Sequence, residues 1–288
     1  MTQPIHHPQP PRSFRRVAVL ATIAGLILAL PVSALDLNGF MPAPGTGNLA
    51  LSYTAESYDE FWAGTQKTSA PPLGEVSTYS TSAWFQWGLG RDLSLVGDIA
   101  FVDTSGDGFA GFEENGVQDL VALVQYRFAS LERERARHDF LVAGGLRTPI
   151  GDYEADLPVA LGDGTTDGLF RFIYHFERGP FYFSQQVGFS ARGGDAPDGF
   201  PLYTELGLTH RRITYTGFYS LYRADGGTDI GDPGFTFPSN GDEFERVGAK
   251  IYGRLRPDLG ISVFAFTTLD GRNCGDATGI SFGASYAF

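Results

Sequence analysis

From residue 48 to the end, the chain alternates apolar and polar positions in runs of ten to fifteen residues separated by turn formers. A period of two is the signature of strands, whose successive side chains point to opposite faces. The pattern predicts twelve strands near 48–62, 76–89, 92–105, 117–131, 138–149, 167–178, 181–193, 201–211, 213–225, 243–255, 259–269 and 277–288. The faces are sharpest in three of them. Leu120, Ala122, Val124, Tyr126 and Phe128 oppose Asp119, Gln125 and Arg127. Phe170, Phe172, Tyr174 and Phe176 oppose Arg171, His175 and Glu177, and Val247, Ala249, Ile251, Gly253 and Leu255 oppose Lys250, Tyr252 and Arg254. A soluble sandwich hides its second face in a dry core. Charged residues opposite an unbroken greasy face fit a barrel with lipid outside and water inside.

The connections point the same way. Gly90-Arg91, Glu132 to Arg137, Arg178-Gly179-Pro180, Arg211-Arg212 and Arg256-Pro257-Asp258 are short. The intervening connections, 63–75, 106–116, 150–166, 194–200, 226–242 and 270–276, are mostly longer. Alternating short and long links are those of a membrane barrel with periplasmic turns and extracellular loops, and an even strand number returns both ends to the periplasm. The fold class expected is therefore an all-β antiparallel transmembrane β-barrel of about twelve strands, single-domain over 48–288. At the end of the chain, Ile280, Phe282, Ala284, Tyr286 and Phe288 share one face, and Ser281, Gly283, Ser285 and Ala287 the other. This resembles the closing strand of Gram-negative outer-membrane barrels. The resemblance implies the outer membrane as location and recognition of the strand ending in Phe288 by the barrel assembly machinery.

The start of the chain supplies an export route. Arg12, Arg15 and Arg16 precede the apolar run Val17–Leu30, followed by Pro31 and the small-residue site Val32-Ser33-Ala34. This predicts a signal peptide over 1–34, since about 14 apolar residues fall short of the roughly 20 a spanning helix needs. The Arg15-Arg16 pair is a weak echo of twin-arginine export, and ordinary secretion fits an unfolded barrel better. Residues 35–47 are rich in Pro and Gly without a period. They read as an N-terminal segment on the periplasmic side, or one that folds back into the barrel mouth, too short to be a passenger domain.

Charge narrows the partners. Of 21 basic residues three lie in the leader, leaving 18 against 33 acidic ones, a mature net charge of −15. Nucleic acid is not expected as a partner. Short turns carry arginine, and long loops carry acids such as Asp107, Glu113, Asp152, Glu154, Asp195 and Asp229. Such loops would face lipopolysaccharide, where divalent cations bridge carboxylates to lipid phosphates, although plain solvation accounts for them as well. Asp103–Gly108 and Asp225–Asp229 are calcium-like only in their turn residues and lack the distal Glu. The single cysteine, Cys274, reads as a loop residue. His175 is followed by Phe176 and Glu177 with no serine two residues on, so a hydrolase triad is unsupported. No catalytic residue, metal site or cofactor is expected.

One motif set is more specific. Gly116-Val-Gln-Asp119 leads to Tyr126-Arg127-Phe128, and Gly145-Leu-Arg-Thr-Pro-Ile-Gly-Asp152 leads to Leu157-Pro158 and Gly162-Asp-Gly-Thr-Thr-Asp167. These resemble the outer-membrane family of the MetA pathway of phenol degradation, distantly similar to fatty acid and aromatic hydrocarbon transporters. Gln118 and Ile150 depart from that family's pattern, and the match spans about residues 116–180. The resemblance implies a solute transporter and does not mark a binding site.

Parity assigns Glu56, Trp84, Asp98, Arg127, Arg147, Arg171, His175, Glu205, Lys250, Phe264 and Phe266 to the lumen, with Tyr182, Tyr203, Phe218, Tyr222 and Tyr252. Arg127, Arg147 and Arg171 are expected to form one basic wall, ion-paired across the lumen with Glu56, Asp98 and Glu205. Eight strands are filled by side chains and sixteen leave a water channel, so twelve should leave a narrow one. The function expected is passive movement of small solutes, hydrophobic or aromatic ones included. A structural barrel with a blocked lumen is the alternative, and an outer-membrane enzyme ranks third.

Overall fold

The computed structural model describes residues 36–69, 73–109, 111–155, 161–162 and 164–288. The expected leader, residues 1–34, lies outside them. Among the described residues fifteen strands form: β1 (Gly47–Tyr58), β2 (Glu60–Ala63), β3 (Gln66–Ser69), β4 (Val76–Gly88), β5 (Leu93–Gly106), β6 (Glu113–Val117), β7 (Leu120–Arg133), β8 (Ala136–Thr148), β9 (Asp167–Arg178), β10 (Phe181–Ala191), β11 (Gly199–His210), β12 (Ile213–Ala224), β13 (Glu243–Arg254), β14 (Leu259–Arg272) and β15 (Thr278–Ala287). Every barrel strand pairs antiparallel with its neighbour, and β4 pairs with both β1 and β5, so the sheet closes on itself. Twelve strands make the barrel. β6 pairs only with the upper part of β5, and β2 and β3 form a separate hairpin in the first long loop.

Closure depends on the last strand. β15 runs against β1 from Asn48 opposite Ala287 to Ser57 opposite Thr278, and against β14 from Leu259 opposite Tyr286 to Thr267 opposite Thr278. Backbone bonds between Gly47 and Phe288 in both directions, at 2.8 and 3.0 Å, seal the rim. The short links are as tight as their composition predicts. Glu134 and Arg135, with φ of 45° and 72°, form a two-residue turn, so β7 and β8 run further than the alternation indicated. A two-residue hairpin with two positive φ values matches the right-handed twist of the strands it joins.

The outer face is that of a membrane protein. Leu49, Leu51, Tyr53, Phe101, Val124, Tyr126, Phe170, Phe172, Val247, Ile251, Ile280 and Phe282 are all exposed large apolar residues, while Gln125, Ile173, His175 and Ser281 one parity away are buried. A soluble protein rarely exposes contiguous apolar surface on this scale. Trp87 meets Phe288 edge-on at 6.5 Å, and Tyr286 stacks on Phe288, placing an aromatic group at the short-turn rim, where such rings favour the membrane interface.

Two strand limits differ from the sequence expectation. The alternation carried the first strand to residue 62, but β1 ends at Tyr58, and Phe61 and Trp62 belong to the loop hairpin, both buried. The fourth predicted strand began at 117. In the structure Gln118 and Asp119 interrupt it, because the Asp119 carboxylate turns to Arg147 and Tyr153.

Val124 is 44% exposed on the lipid face, between Leu95 and Gly144 on the flanking strands. Val124→Arg is expected to cost about 2–4 kcal/mol of barrel stability if it sits near mid-membrane. Refolding yield judged by heat-modifiable gel mobility should fall relative to Val124→Leu, and equal yields would place this position away from lipid.

Candidate functional site in the barrel lumen

Residues 36–46 enter the barrel from the short-turn end. The segment leaves β1 through a turn held by Gly45 N–H to Gly88 O (2.8 Å) and Gly88 N–H to Thr46 O (3.0 Å). Glutamines on three strands then grip its backbone. Gln86 donates to Phe40 O (3.1 Å), Gln125 donates to Asn38 O (2.8 Å), and Leu37 N–H donates to the Gln186 side chain (2.9 Å). A segment without regular structure still has backbone groups that need partners once buried. These inward glutamines meet that need. Leu37 packs among Val96, Val121, Leu123, Leu141, Ala143, Leu169 and Ile173, with Met41 and Trp84 against the same cluster. Phe40 meets His175 at 4.5 Å and Tyr182 at 5.1 Å, both edge-on. Gly39 lies so close to His175 that a Cβ there would overlap the imidazole. Of the two placements open for this segment, its described residues 36–46 take the fold-back into the barrel.

This packing revises the expectation for Gln125. Its side chain does point inward, but it meets the N-terminal segment, Gln86 and Ser94 instead of water. A charge at this position would be buried.

All eleven residues assigned to the lumen lie on inward positions of their strands, with Glu56 on β1, Trp84 on β4, Asp98 on β5, Arg127 on β7, Arg147 on β8, Arg171 and His175 on β9, Glu205 on β11, Lys250 on β13, and Phe264 and Phe266 on β14. They do not form one site. Arg127 sits at the short-turn end, bound to Asp92 (2.6 Å) and Asp139 (3.3 Å). Arg147 sits at the long-loop end with Asp167 (2.8 Å) and Asp119 (3.7 Å). Arg171 lies between, donating to Phe170 O (2.8 Å), Phe189 O (3.0 Å) and Ser190 Oγ (3.3 Å). The single basic wall, with ion pairs to Glu56, Asp98 and Glu205, is therefore not formed. Parity gives the facing of a side chain but not its height: Arg127 and Arg147 pair with aspartates on adjoining elements, and Arg171 is held by carbonyls and a serine hydroxyl.

The motif residues around 116–167 converge at the long-loop end. Tyr153 donates to Asp119, Gly164 N–H donates to Tyr153 Oη (3.1 Å), and Thr165 Oγ1 and Gly193 N–H donate to Asp167 Oδ1 (2.8 and 3.1 Å). Gln118 donates to Leu161 O (2.7 Å), and Leu161 packs on Ala100 and Val102. Their local role is to anchor the third long loop against the inner wall. Leu157 and Pro158 of the same set lie outside the described residues.

The opposite half of the lumen is lined differently. Tyr203, Phe218, Phe264 and Phe266 form a row of rings with successive centroids 5.9, 6.5 and 6.2 Å apart. The Arg246 guanidinium lies over Phe266 at 5.0 Å and over Phe244 at 4.8 Å, and Phe244 stacks on Tyr222 at 6.1 Å. Beside this row the inner face of β15 carries only Gly279, Ser281, Gly283, Ser285 and Ala287; Phe266 and Glu56 pack over Gly279, Ser281 is buried, and Gly283 and Ser285 stay partly exposed. Phe218, Lys250, Tyr252, Ser262 and Phe264 remain partly exposed inside the closed barrel, and Asp36 is exposed there with Lys250, Glu205, Arg171 and Arg246 as its charged surroundings. Glu205 accepts from Tyr203 (3.1 Å), and its other oxygen has no hydrogen-bond partner among the described residues.

Long loops cover the far mouth. Phe61 packs with Tyr58, Leu73, Val76, Ile230 and Ala277, and Trp62 with Tyr222, Phe244 and Cys274. Asn273 ties three loops together: its side chain accepts from Gly64 N–H (2.8 Å) and Ile230 N–H (3.0 Å) and donates to Thr228 O (3.2 Å) and Gly241 O (3.1 Å). Cys274 is in a loop as expected, but buried, and burial pushes its thiol up to about 12. Neither the glutamine grip nor the Asn273 hub was visible in the sequence, because both join residues far apart in the chain without a motif. Among the described residues no three His, Cys, Asp or Glu side chains gather in a metal-binding group.

The architecture is that of a twelve-stranded antiparallel barrel of the outer-membrane type. It is similar to the crystal structure of the COG4313 outer membrane channel from Pseudomonas putida F1, with a TM-score of 0.69 and 15% identity over 89% of this chain and 100% of that one. Weaker likenesses include the translocator domain of the autotransporter NalP from Neisseria meningitidis (TM-score 0.47, 9% identity, 96% of this chain and 95% of that one) and the KdgM porin (TM-score 0.41, 11% identity, 83% and 99%). No protein-family model matches the chain, and no curated protein does.

Asn273→Ala removes four backbone contacts from a buried side chain, each unsatisfied group costing about 1–3 kcal/mol. In the intact protein the Cys274 thiol should resist maleimide at pH 8, being both buried and protonated. Asn273→Ala should make it react at least tenfold faster with the barrel still folded. Unchanged protection would mean that the loops do not depend on this hub.

Proposed function

We propose that this chain is a passive channel for small solutes across the bacterial outer membrane, with residues 36–46 as an internal constriction. The observation that carries the reading is the partly exposed inner face on β12–β15, a stripe that the N-terminal segment leaves uncovered inside the closed barrel. A barrel serving only as a surface scaffold has no need of unfilled interior. The row from Tyr203 to Phe266, ending at the Arg246 cation, favours small amphipathic or aromatic solutes, whose rings stack and whose polar ends meet Lys250, Glu205 or water. Lipid and lipopolysaccharide around the barrel, assembly through the strand ending at Phe288, and removal of a signal peptide before residue 35 complete the proposal. Catalysis is not part of it.

The competing reading, a structural barrel with a blocked lumen, draws on the buried loop residues Phe61 and Trp62 and on the tightly held Leu37. Single-channel recordings in planar bilayers separate the two. Deleting residues 36–46 should raise unitary conductance several-fold over the full-length protein, and Phe264→Ala should weaken block by an added aromatic carboxylate without reducing conductance. Silence from both the full-length and the shortened barrel would favour the scaffold.

A further inference from the structure

A cavity of about 150 Å³ opens along the inner wall of β1, β4 and β5, away from the aromatic row. Thr54, Glu56, Thr78, Ser80, Ser82 and Asp98 supply most of its polar lining, with Gln118 at one end. No lysine or arginine contributes to it, in contrast to the β7–β9 wall, where each ion pair is closed locally. Glu56 is 9% exposed, and its Oε1 has no hydrogen-bond partner among the described residues. A carboxylate held out of bulk water needs a counter-charge or water to offset its lost solvation.

The hydroxyls are arranged to share that role. Ser52 and Ser82 are bonded at 2.7 Å, Thr78 and Thr104 at 2.9 Å, and Thr54 donates to Ser281 at 2.9 Å. Each hydroxyl so engaged keeps a lone pair directed elsewhere. An all-oxygen donor set suits hard cations. The two carboxylates do not hold one ion together. Asp98 stands opposite Trp84, Trp84 opposite Ala50, and Glu56 lies six residues further along β1. That is about 20 Å along the strand direction at the usual rise per residue. They stand at separate stations, with Thr54, Ser80 and Ser82 between them.

The geometry points to a cation path on this wall: Glu56 and Asp98 are successive stations for a monovalent cation, an alkali ion or a primary ammonium group, and the hydroxyls replace part of its hydration between them. One carboxylate with neutral hydroxyls binds weakly enough to release, as conduction through several sites requires. The inference rests on the channel reading and assigns that channel its ion preference.

Reversal potentials under a tenfold potassium chloride gradient test it, measured on the full-length barrel and on the form lacking residues 36–46. The native protein should favour potassium over chloride. Glu56→Gln and Asp98→Asn should each lower that permeability ratio at least twofold, the double variant should approach equal permeability, and Asp98→Glu should retain the preference. Asp195→Asn, which removes an exposed loop acid, should leave the ratio unchanged. Conductance with an unaltered ratio in the double variant, or an equal drop in Asp195→Asn, overturns the path and spares the channel. Absence of conductance in every form overturns both.

Discussion

Backbone hydrogen bonding in a medium without water governs this fold. Every N–H and C=O facing lipid must be paired within the protein, at a cost of several kcal/mol for each that is not, so a spanning sheet survives only when it closes. Here closure falls to β15, placed between β1 and β14. The same strand presents aromatics to lipid and only glycine, alanine and serine inward. The element that seals the barrel therefore brings only small side chains to its interior: Phe266 packs over Gly279, and Gly283 and Ser285 stay partly exposed beside the aromatic row.

A second consequence of closure is that the interior has to be furnished. A twelve-strand lumen is wider than its wall side chains can fill, and the chain treats its halves differently. On β5–β10 the wall is apolar at mid-height, and residues 36–46 lie on it, their backbone satisfied by Gln86, Gln125 and Gln186. From β11 round to β4 the lining is aromatic, hydroxylic and charged, buried on β11 and partly exposed at Phe218, Lys250, Tyr252, Ser262 and Phe264. The division narrows a broad barrel with an irregular segment and, among the described residues, without a helix. The covering of the far mouth by Phe61, Trp62 and the Asn273 hub adds a second constriction at the opposite end.

What was legible in the sequence follows from which constraints are local. Lipid imposes period-two alternation on each strand separately, so facing could be read for Val124, Phe170 or Ile251 from a few neighbours. Turn chemistry is local too, hence the alternation of short and long links. Height within the barrel is not local. Arg127, Arg147 and Arg171 share a face but not a level, because levels are set by register across several strand pairs, and the expected wall dissolved into two local ion-pair groups and an arginine held by carbonyls and a hydroxyl. The N-terminal segment was legible only as a choice between two placements, for a related reason. Its Pro-Gly composition has no period, and the residues that hold it lie 46 to 149 positions away along the chain. Likewise Phe61 continued the alternation of β1 in sequence while leaving the barrel in space.

The central claim is that a continuous, solute-sized path remains beside residues 36–46. Osmotic swelling of liposomes carrying the full-length protein measures this most directly, using neutral solutes of graded size. The account predicts swelling that is rapid for the smallest solutes, falls steeply with size, and extends to larger ones when residues 36–46 are deleted. Liposomes that fail to swell with the smallest solute, with and without the segment, would contradict it.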